Sequence, residues 1–182
     1  MHLNDSHDLC NLSAAPDWLR FAPQGRWLQI DSQQQHLYVF EQAVPVRCFS
    51  ISTALNGLGE QSGSGCTPRG WHVIRAKIGA QLPDNAVLVG RRWTQECYSE
   101  TLATQHPERD WILGRILWLS GLERGKNRLG HVDTMQRYIY LHGTPDSEPM
   151  GIARSHGCIR MRTKDITLLF EEIAVQTPVY IA

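Results

Sequence analysis

The sequence has no Cys-x-x-C pair, no excess charge of either sign, no long apolar run and no internal repeat. Each absence narrows the field. The five cysteines, at 10, 48, 66, 97 and 158, are odd in number and scattered. Neither a zinc ribbon nor a thioredoxin-like motif can be read from them, and reduced thiols are the simplest state. Lys and Arg total 18, as do Asp and Glu, so the formal net charge is zero. That balance removes the usual electrostatic reason to expect nucleic acid or an anionic membrane as a partner. A small anionic or zwitterionic ligand stays open. No stretch approaches the roughly 18 apolar residues of a membrane span. Positions 1–17, MHLNDSHDLCNLSAAPD, put acids and histidines where a secretory signal needs its apolar core. A cytoplasmic protein without a membrane partner is the expectation.

What is present fits one globular domain. The chain has 182 residues, 42% of them hydrophobic, enough to bury a real core. An N-terminal arm is expected over 1–26 and one globular domain over 27–182. WLQID, HLYVF (36–40) and VRCFSIST (46–53) are short and rich in Val, Ile, Phe, Tyr and Thr, which predicts strands. Between 57 and 70 five glycines and Pro68 mark a turn or loop. WHVIRAKI (71–78) alternates, with Trp71, Val73 and Arg75 on one face and His72, Ile74 and Ala76 on the other. AVLVG (86–90) and RYIYLHG (137–143) are further strand candidates. In an insertion at about 91–130, the apolar positions 112, 113, 116, 117 and 119 predict a helix over 110–123, weakened by Gly114. A late helix is predicted from an N-cap at Thr163 to about Val175, with Ile166, Leu169, Phe170 and Ile173 on its buried face. VYIA closes the chain as a strand.

The chemistry concentrates between Tyr138 and Arg162, YIYLHGTPDSEPMGIARSHGCIRMR. Cys158 is the candidate nucleophile. A thiol reacts as thiolate, so it needs a base or positive electrostatics nearby, and His142 and His156 are near in sequence. Gly157 leaves room for substrate and for backbone N–H groups to approach an oxyanion. His142 ends a strand at a Gly-Thr-Pro turn, a rigid way to aim an imidazole. Two bland readings compete: a lone Cys is usually a small buried hydrophobe, and a loop His is usually solvated. A zinc site built from His142, His156, Cys158 and His131 is the other sharp alternative, although His-x-Cys is not a common structural-zinc spacing.

His142-Gly143-Thr144 and, with twelve residues (143–154) between His142 and Ser155, Ser155-His156-Gly157-Cys158-Ile159-Arg160-Met161 resemble the active-site pattern of the YkuD-type L,D-transpeptidase catalytic domain. Upstream, Thr67-Pro68-Arg69-Gly70-Trp71-His72-Val73-Ile74 is similar to that family's Thr-Pro-x-Gly-x-Phe-x-Ile element, with Trp71 read as the retained aromatic. Ser52-Thr53-Ala54 is similar to its Ser-Thr-Gly segment, with Ala where Gly is common. The resemblance covers about 27–182. It implies a mainly β fold, a sandwich or flattened barrel, here with a helical insertion and one late helix. It also implies that Cys158 attacks the carbonyl of the third residue of a peptidoglycan stem peptide, commonly diaminopimelate, at the L,D-bond to terminal D-alanine. His142 is then the base and Gly143 C=O orients it. The N–H groups of Gly157 and Cys158 form the oxyanion hole, which His156 helps to shape. Arg160 is either an anchor for a substrate carboxylate or a salt bridge fixing the loop; Arg154 is a weaker anchor, and Ser155 is expected to bond the loop backbone. No metal or cofactor is implied.

The resemblance leaves the acceptor open. Water makes an L,D-carboxypeptidase, an amine makes a transpeptidase, and a muropeptide sensor is the non-enzymatic alternative. The cytoplasmic expectation favours the carboxypeptidase acting on soluble muropeptides. Trp111 and Trp118 either wall the cleft or belong to the core.

Overall fold

A computed structural model describes residues 23–182. The arm expected over 1–26 lies outside them except for its last positions. Ten strands are formed: Arg26–Asp31 (β1), His36–Glu41 (β2), Val44–Ser52 (β3), Gly70–Ile78 (β4), Ala86–Val89 (β5), Arg92–Cys97 (β6), Leu113–Gly121 (β7), Tyr140–Thr144 (β8), Ile159–Arg162 (β9) and Pro178–Ile181 (β10). Two α-helices, Glu100–Gln105 (α1) and Thr163–Glu172 (α2), accompany them. The hydrogen-bonded order β4-β10-β1-β2-β3-β9-β8-β7 closes through β4–β7 into a barrel, and β5–β6 hangs from β7 as a hairpin. Closure pairs backbone groups that an open sheet would leave on its edges. Most pairings are antiparallel; β1–β10 and β8–β9 are parallel.

The strand period explains why this sequence closes this way. Leu28 and Ile30, Leu37 and Val39, Phe49 and Ile51, Leu117 and Leu119, Ile159 and Met161, and Val179 and Ile181 each stand two apart, and all belong to one buried cluster. A residue-by-residue alternation sends one member of each dipeptide inward. The inward face of α2 completes that cluster with Ile166, Leu169 and Phe170, and Ile173 follows at the helix's end, as the sequence predicts. On the outer face Trp27 stacks on Phe40 with ring centroids 4.4 Å apart, so the barrel carries a second, aromatic layer there.

Two expectations are corrected. The helix read over 110–123 is instead strand β7. This strand is buried on both faces: Leu117 and Leu119 enter the main core, while Ile116 and Trp118 pack under the β5–β6 hairpin. A strand covered on both sides reads as a nearly continuous apolar run and mimics helical spacing. Gly114 marks a register shift of β7 against β8, at φ +67°, where an added Cβ would lie 2.3 Å from Asp84 O. The insertion is thus strand, short helix, strand, with α1 as its α-helix. The late helix is also shorter than expected, ending at Glu172, and its N-cap is Arg162. Thr163 is its first residue, and the Thr163 hydroxyl donates to Thr144 O at 3.1 Å, tying α2 to β8.

Candidate active site

Strands β8 and β9 run parallel with Leu141 opposite Ile159 and His142 opposite Arg160. Leu141, Ile159 and Met161 are in the core, so alternation turns their neighbours to the other face. Cys158, immediately before β9, packs in the outer cluster with Tyr140 and Trp118. The thiol and the His142 ring therefore share one face of this strand pair, two residues apart in register. The core-forming pattern of Leu141 and Ile159 is what aims the reactive side chains outward.

The His142 ring is buried, and its Nδ1 lies 2.8 Å from Gly143 O. A carbonyl only accepts, so Nδ1 carries the hydrogen and Nε2 is left with its lone pair. Burial holds the His142 pKa below the ordinary imidazole value, with the Gly143 hydrogen bond and Asp110 opposing it. The ring is neutral at pH 7 and able to take a proton. Cys158 Sγ accepts from Tyr140 N–H and donates to Tyr138 O, each at 3.4 Å. Although Cys158 is partly exposed, its surroundings push the thiol pKa up to about 12, against the opposing pull of the Tyr140 N–H. The resting pair is a thiol, its S–H directed at Tyr138 O, and a neutral imidazole. Tyr138 itself adopts φ +57°, a strained conformation for a bulky residue, and its carbonyl is the one that meets the thiol.

The loop carrying Cys158 is tied by the very segments that carried the resemblance. Thr67 Oγ1 donates to Gly157 O and accepts from Ala54 N–H, both at 3.0 Å. Ser155 pairs with Ala54 in an isolated bridge, its N–H donates to Thr53 O, and its hydroxyl donates to Cys158 O. Ser155 is a loop staple with no free hydroxyl. Gly157 has φ +131°, and a Cβ there would stand 3.2 Å from Ile139 Cδ1 and 3.4 Å from Cys66 O. Its N–H donates to Ser155 Oγ at 3.3 Å, a long bond, so this candidate oxyanion donor is held inside the loop at rest.

The remaining candidates divide. Arg160 is buried, with one terminal nitrogen 3.0 Å from Glu148 Oε2 and the other 2.8 Å from Asp110 Oδ1. Both prongs of its fork are occupied by the protein's own carboxylates, the arrangement of a strut across the catalytic loop. Arg154 is exposed; its backbone N–H donates to Thr53 O. His156 is an exposed side chain whose Nδ1 stands 3.5 Å from Asp110 Oδ2, facing outward. The four residues of the zinc alternative are not brought together: among the described residues no three His, Cys, Asp or Glu side chains converge. Trp111 is core, in contact with Val87 and Leu113, whereas Trp118 stands half-buried on the site face beside Tyr138 and Tyr140. A cleft of about 460 Å³ is lined by Ser62, Gly63, Gly65, Arg137, His156 and Tyr138, the last being the residue whose carbonyl meets the thiol. Asp110, Tyr138, Tyr140 and Arg91 were not singled out from the sequence. Asp110 sits 50 positions before its partner Arg160, a pairing created where β7, β8 and β9 lie side by side.

One reading of the upstream element also changes. His72, not Trp71, occupies the inward position of the family's phenylalanine: His72 is fully buried beside Ile74, and Trp71 packs on the outer aromatic layer.

A closed barrel thus presents a thiol and a neutral imidazole on the outer face of one parallel strand pair. The family model of the YkuD L,D-transpeptidase catalytic domain matches residues 25–181, and the chain belongs to that family. A curated relative, "Probable L,D-transpeptidase YbiS" of Escherichia coli strain K12, is 44% identical over 43 residues, 24% of this chain and 14% of the relative. Among solved structures, the L,D-transpeptidase of Xylanimonas cellulosilytica (residues 123–326) has a TM-score of 0.51 at 21% identity, covering 94% of this chain and 65% of that one. An L,D-transpeptidase from Mycobacterium smegmatis has a TM-score of 0.52 at 16% identity, covering 86% and 58%. The chain thus spans less than two thirds of each relative's length, and at these identities the structural likeness concerns the fold.

Proposed function

We propose that the protein cleaves the L,D-bond between the third residue and terminal D-alanine of a peptidoglycan stem peptide, with water as the usual acceptor. The observation that carries the reading is the neutral Cys158 thiol and neutral His142 imidazole on one outward face, with His142 Nδ1 fixed by Gly143 O. In the first step Sγ bonds to the carbonyl carbon of the third residue as its proton passes to His142 Nε2. The tetrahedral oxygen draws on the N–H of Cys158, and on that of Gly157 as it leaves Ser155. Collapse breaks the C–N bond, and His142 returns the proton to the departing amine of D-alanine. Water then attacks the thioester, giving its proton to His142, and the thiol leaves with that proton restored. Net, one amide and one water become a carboxylic acid and an amine.

Membership of the family supports the bond and the substrate class. The choice of water is supported by the β5–β6 hairpin and its aromatic neighbours beside the thiol, which occupy one flank of the site. The same reading puts the work in the cytoplasm, where soluble muropeptides are trimmed and a thiol nucleophile stays reduced. The test is incubation with a disaccharide-tetrapeptide, with and without a free D-amino acid, read by mass spectrometry. Tripeptide plus D-alanine is expected, and none from Cys158→Ala. Predominant cross-linked or exchanged product would restore the transpeptidase, and turnover by Cys158→Ala would remove the thiol from the mechanism.

A further inference from the structure

The β5–β6 hairpin turns through Gly90 and Arg91, with Val89 opposite Arg92, a two-residue turn in which both central residues have positive φ, +55° and +66°. Such turns favour glycine or asparagine, and an arginine there sits in a conformation that costs L-residues roughly 1–2 kcal/mol. The barrel's geometry uses that arginine on the site face. Its guanidinium carbon lies 4.5 Å from the Trp118 ring centroid and 4.9 Å from that of Tyr138, and one terminal nitrogen donates to Tyr140 Oη at 2.8 Å. Tyr138 and Tyr140 are the residues whose carbonyl and N–H hold the Cys158 thiol. Tyr140 therefore spans the gap, its backbone on the thiol and its phenol on Arg91.

Arg91 has no carboxylate partner among the described residues, in contrast to Arg160, Arg109, Arg115 and Arg69, each of which has one. The Tyr140 phenol is buried and already accepts from Arg91, so its own proton is directed elsewhere. Burial keeps that phenol protonated. Arg75, over the other reach of the Trp118 ring at 5.5 Å, adds a second cation with no acidic partner among the described residues. A half-buried guanidinium, held flat against aromatic rings with spare N–H groups and a phenolic donor beside it, has the geometry that pairs with a carboxylate.

We propose that Arg91, with Tyr140, is a carboxylate-binding subsite that selects the acyl donor. This rests on the stem-peptide reading above. The donor offers two carboxylates near the attacked carbonyl, that of terminal D-alanine and that on the side chain of the third residue, and the experiment separates them. The variant Arg91→Gly removes the guanidinium while supplying the residue that the positive-φ turn prefers, so the fold is preserved or strengthened. Peptide binding is measured by calorimetry on Cys158→Ala with and without Arg91→Gly, and D-alanine release is measured on Arg91→Gly alone. Three donors are compared: the acid form, one ending in D-alaninamide, and one with the third residue's side-chain carboxylate amidated.

With the acid form, Arg91→Gly should weaken binding and raise KM about 10- to 100-fold, the scale of a charge-assisted hydrogen-bond pair, with kcat changed much less. Amidation of whichever carboxylate Arg91 holds should weaken wild-type binding by a similar factor and make Arg91→Gly nearly silent, while the other amide leaves the variant's full effect. Arg91→Lys should recover part of the loss. Binding and KM unchanged within twofold in Arg91→Gly, or an equal loss with all three donors, would overturn the subsite while leaving the function standing. Wild-type protein that neither binds nor cleaves any of the three would instead overturn the stem-peptide reading, and the subsite with it.

Discussion

Lowering the pH to 5 should destabilise this protein through His72, far from the reacting atoms. The ring is fully buried under β4, with Nδ1 2.9 Å from Gly70 O and Nε2 3.1 Å from Thr134 Oγ1. Thr134 in turn donates to Asn127 O at 2.9 Å. Those partners would suit a charged imidazole well, since both ring nitrogens would then donate. Burial outweighs them, and the pKa falls from 6.5 to about 4. An unfolded chain takes the proton that the folded one refuses, so this stabilisation is complete above pH 6.5 and is lost as the pH falls toward 4. At pH 5 the unfolded ring is nearly all protonated and the folded ring hardly at all, a difference of about 2 kcal/mol relative to pH 7.5. For a domain of this size the melting temperature should fall by about 4–8 °C over that interval from His72 alone. Burial depresses the pKa of His142 in the same sense and adds to the slope. The carboxylates held low by cationic partners, Glu60 beside Arg69 among them, contribute mainly below their ordinary value of 4.5. Urea unfolding at pH 7.5 and 5 for wild type and His72→Phe tests this. The variant places at the inward position the side chain the family pattern carries there, and it should lose about 2 kcal/mol less than wild type on acidification. An equal loss in both proteins would refute the assignment.

Other outcomes follow from the site. For kcat/KM against pH, the acid limb should lie below 6.5, because burial depresses the His142 pKa and the base works only when neutral; an inflection at or above 6.5 would exclude His142 as the free enzyme's base. His142→Ala should slow acylation at least ~10²-fold, whereas His156→Ala, removing an exposed ring, should cost less; the opposite order in single-turnover acylation would exchange their roles. Arg160→Met should lower stability by about 1–2 kcal/mol, seen as a lower melting temperature, because it leaves Glu148 without its cation and Asp110 with only the 3.5 Å contact to His156. A raised KM at unchanged melting temperature would instead make Arg160 the substrate anchor.

The sequence and the structure agree where one physical signal dominates. Strands β1 to β4 are β-branched and aromatic runs bounded by turn signals, and each is where the text places it. Strand β7 was misread because two buried faces erase the period-two signal that distinguishes a strand. At the site, Cys158 and His142 were legible because they lie in one 17-residue window on adjacent strands. Asp110, Arg91 and the tyrosine backbone groups were not, since their roles depend on register across β7, β8 and the hairpin. Arg160 was ambiguous for a reason of the same kind: a guanidinium beside the candidate thiol serves substrate or scaffold according to which carboxylates reach it, and of its two partners Asp110 lies 50 positions away while Glu148 lies in the same segment.

Those long-range placements bear on the choice between water and amine. A thioester on Cys158 would stand between the cleft at the glycine-rich 57–66 loop and the wall formed by Arg91, Trp118 and Tyr138. If Arg91 holds a donor carboxylate, the donor itself takes the hairpin side as well as the thiol, and an incoming amine must compete for the cleft. Water is present at ~55 M against amines at millimolar levels or lower, so aminolysis must overcome a ratio of roughly 10⁴–10⁵, about 5.5–7 kcal/mol. Supplying that much needs a dedicated acceptor site and a shield against water. Cys158 is partly open to solvent, one flank is taken by the loop that holds Gly157 through Thr67, and the proposed subsite gives the other to the donor. In the proposed mechanism hydrolysis asks nothing further of this geometry, since the neutral His142 Nε2 that would receive the thiol proton would also take one from water.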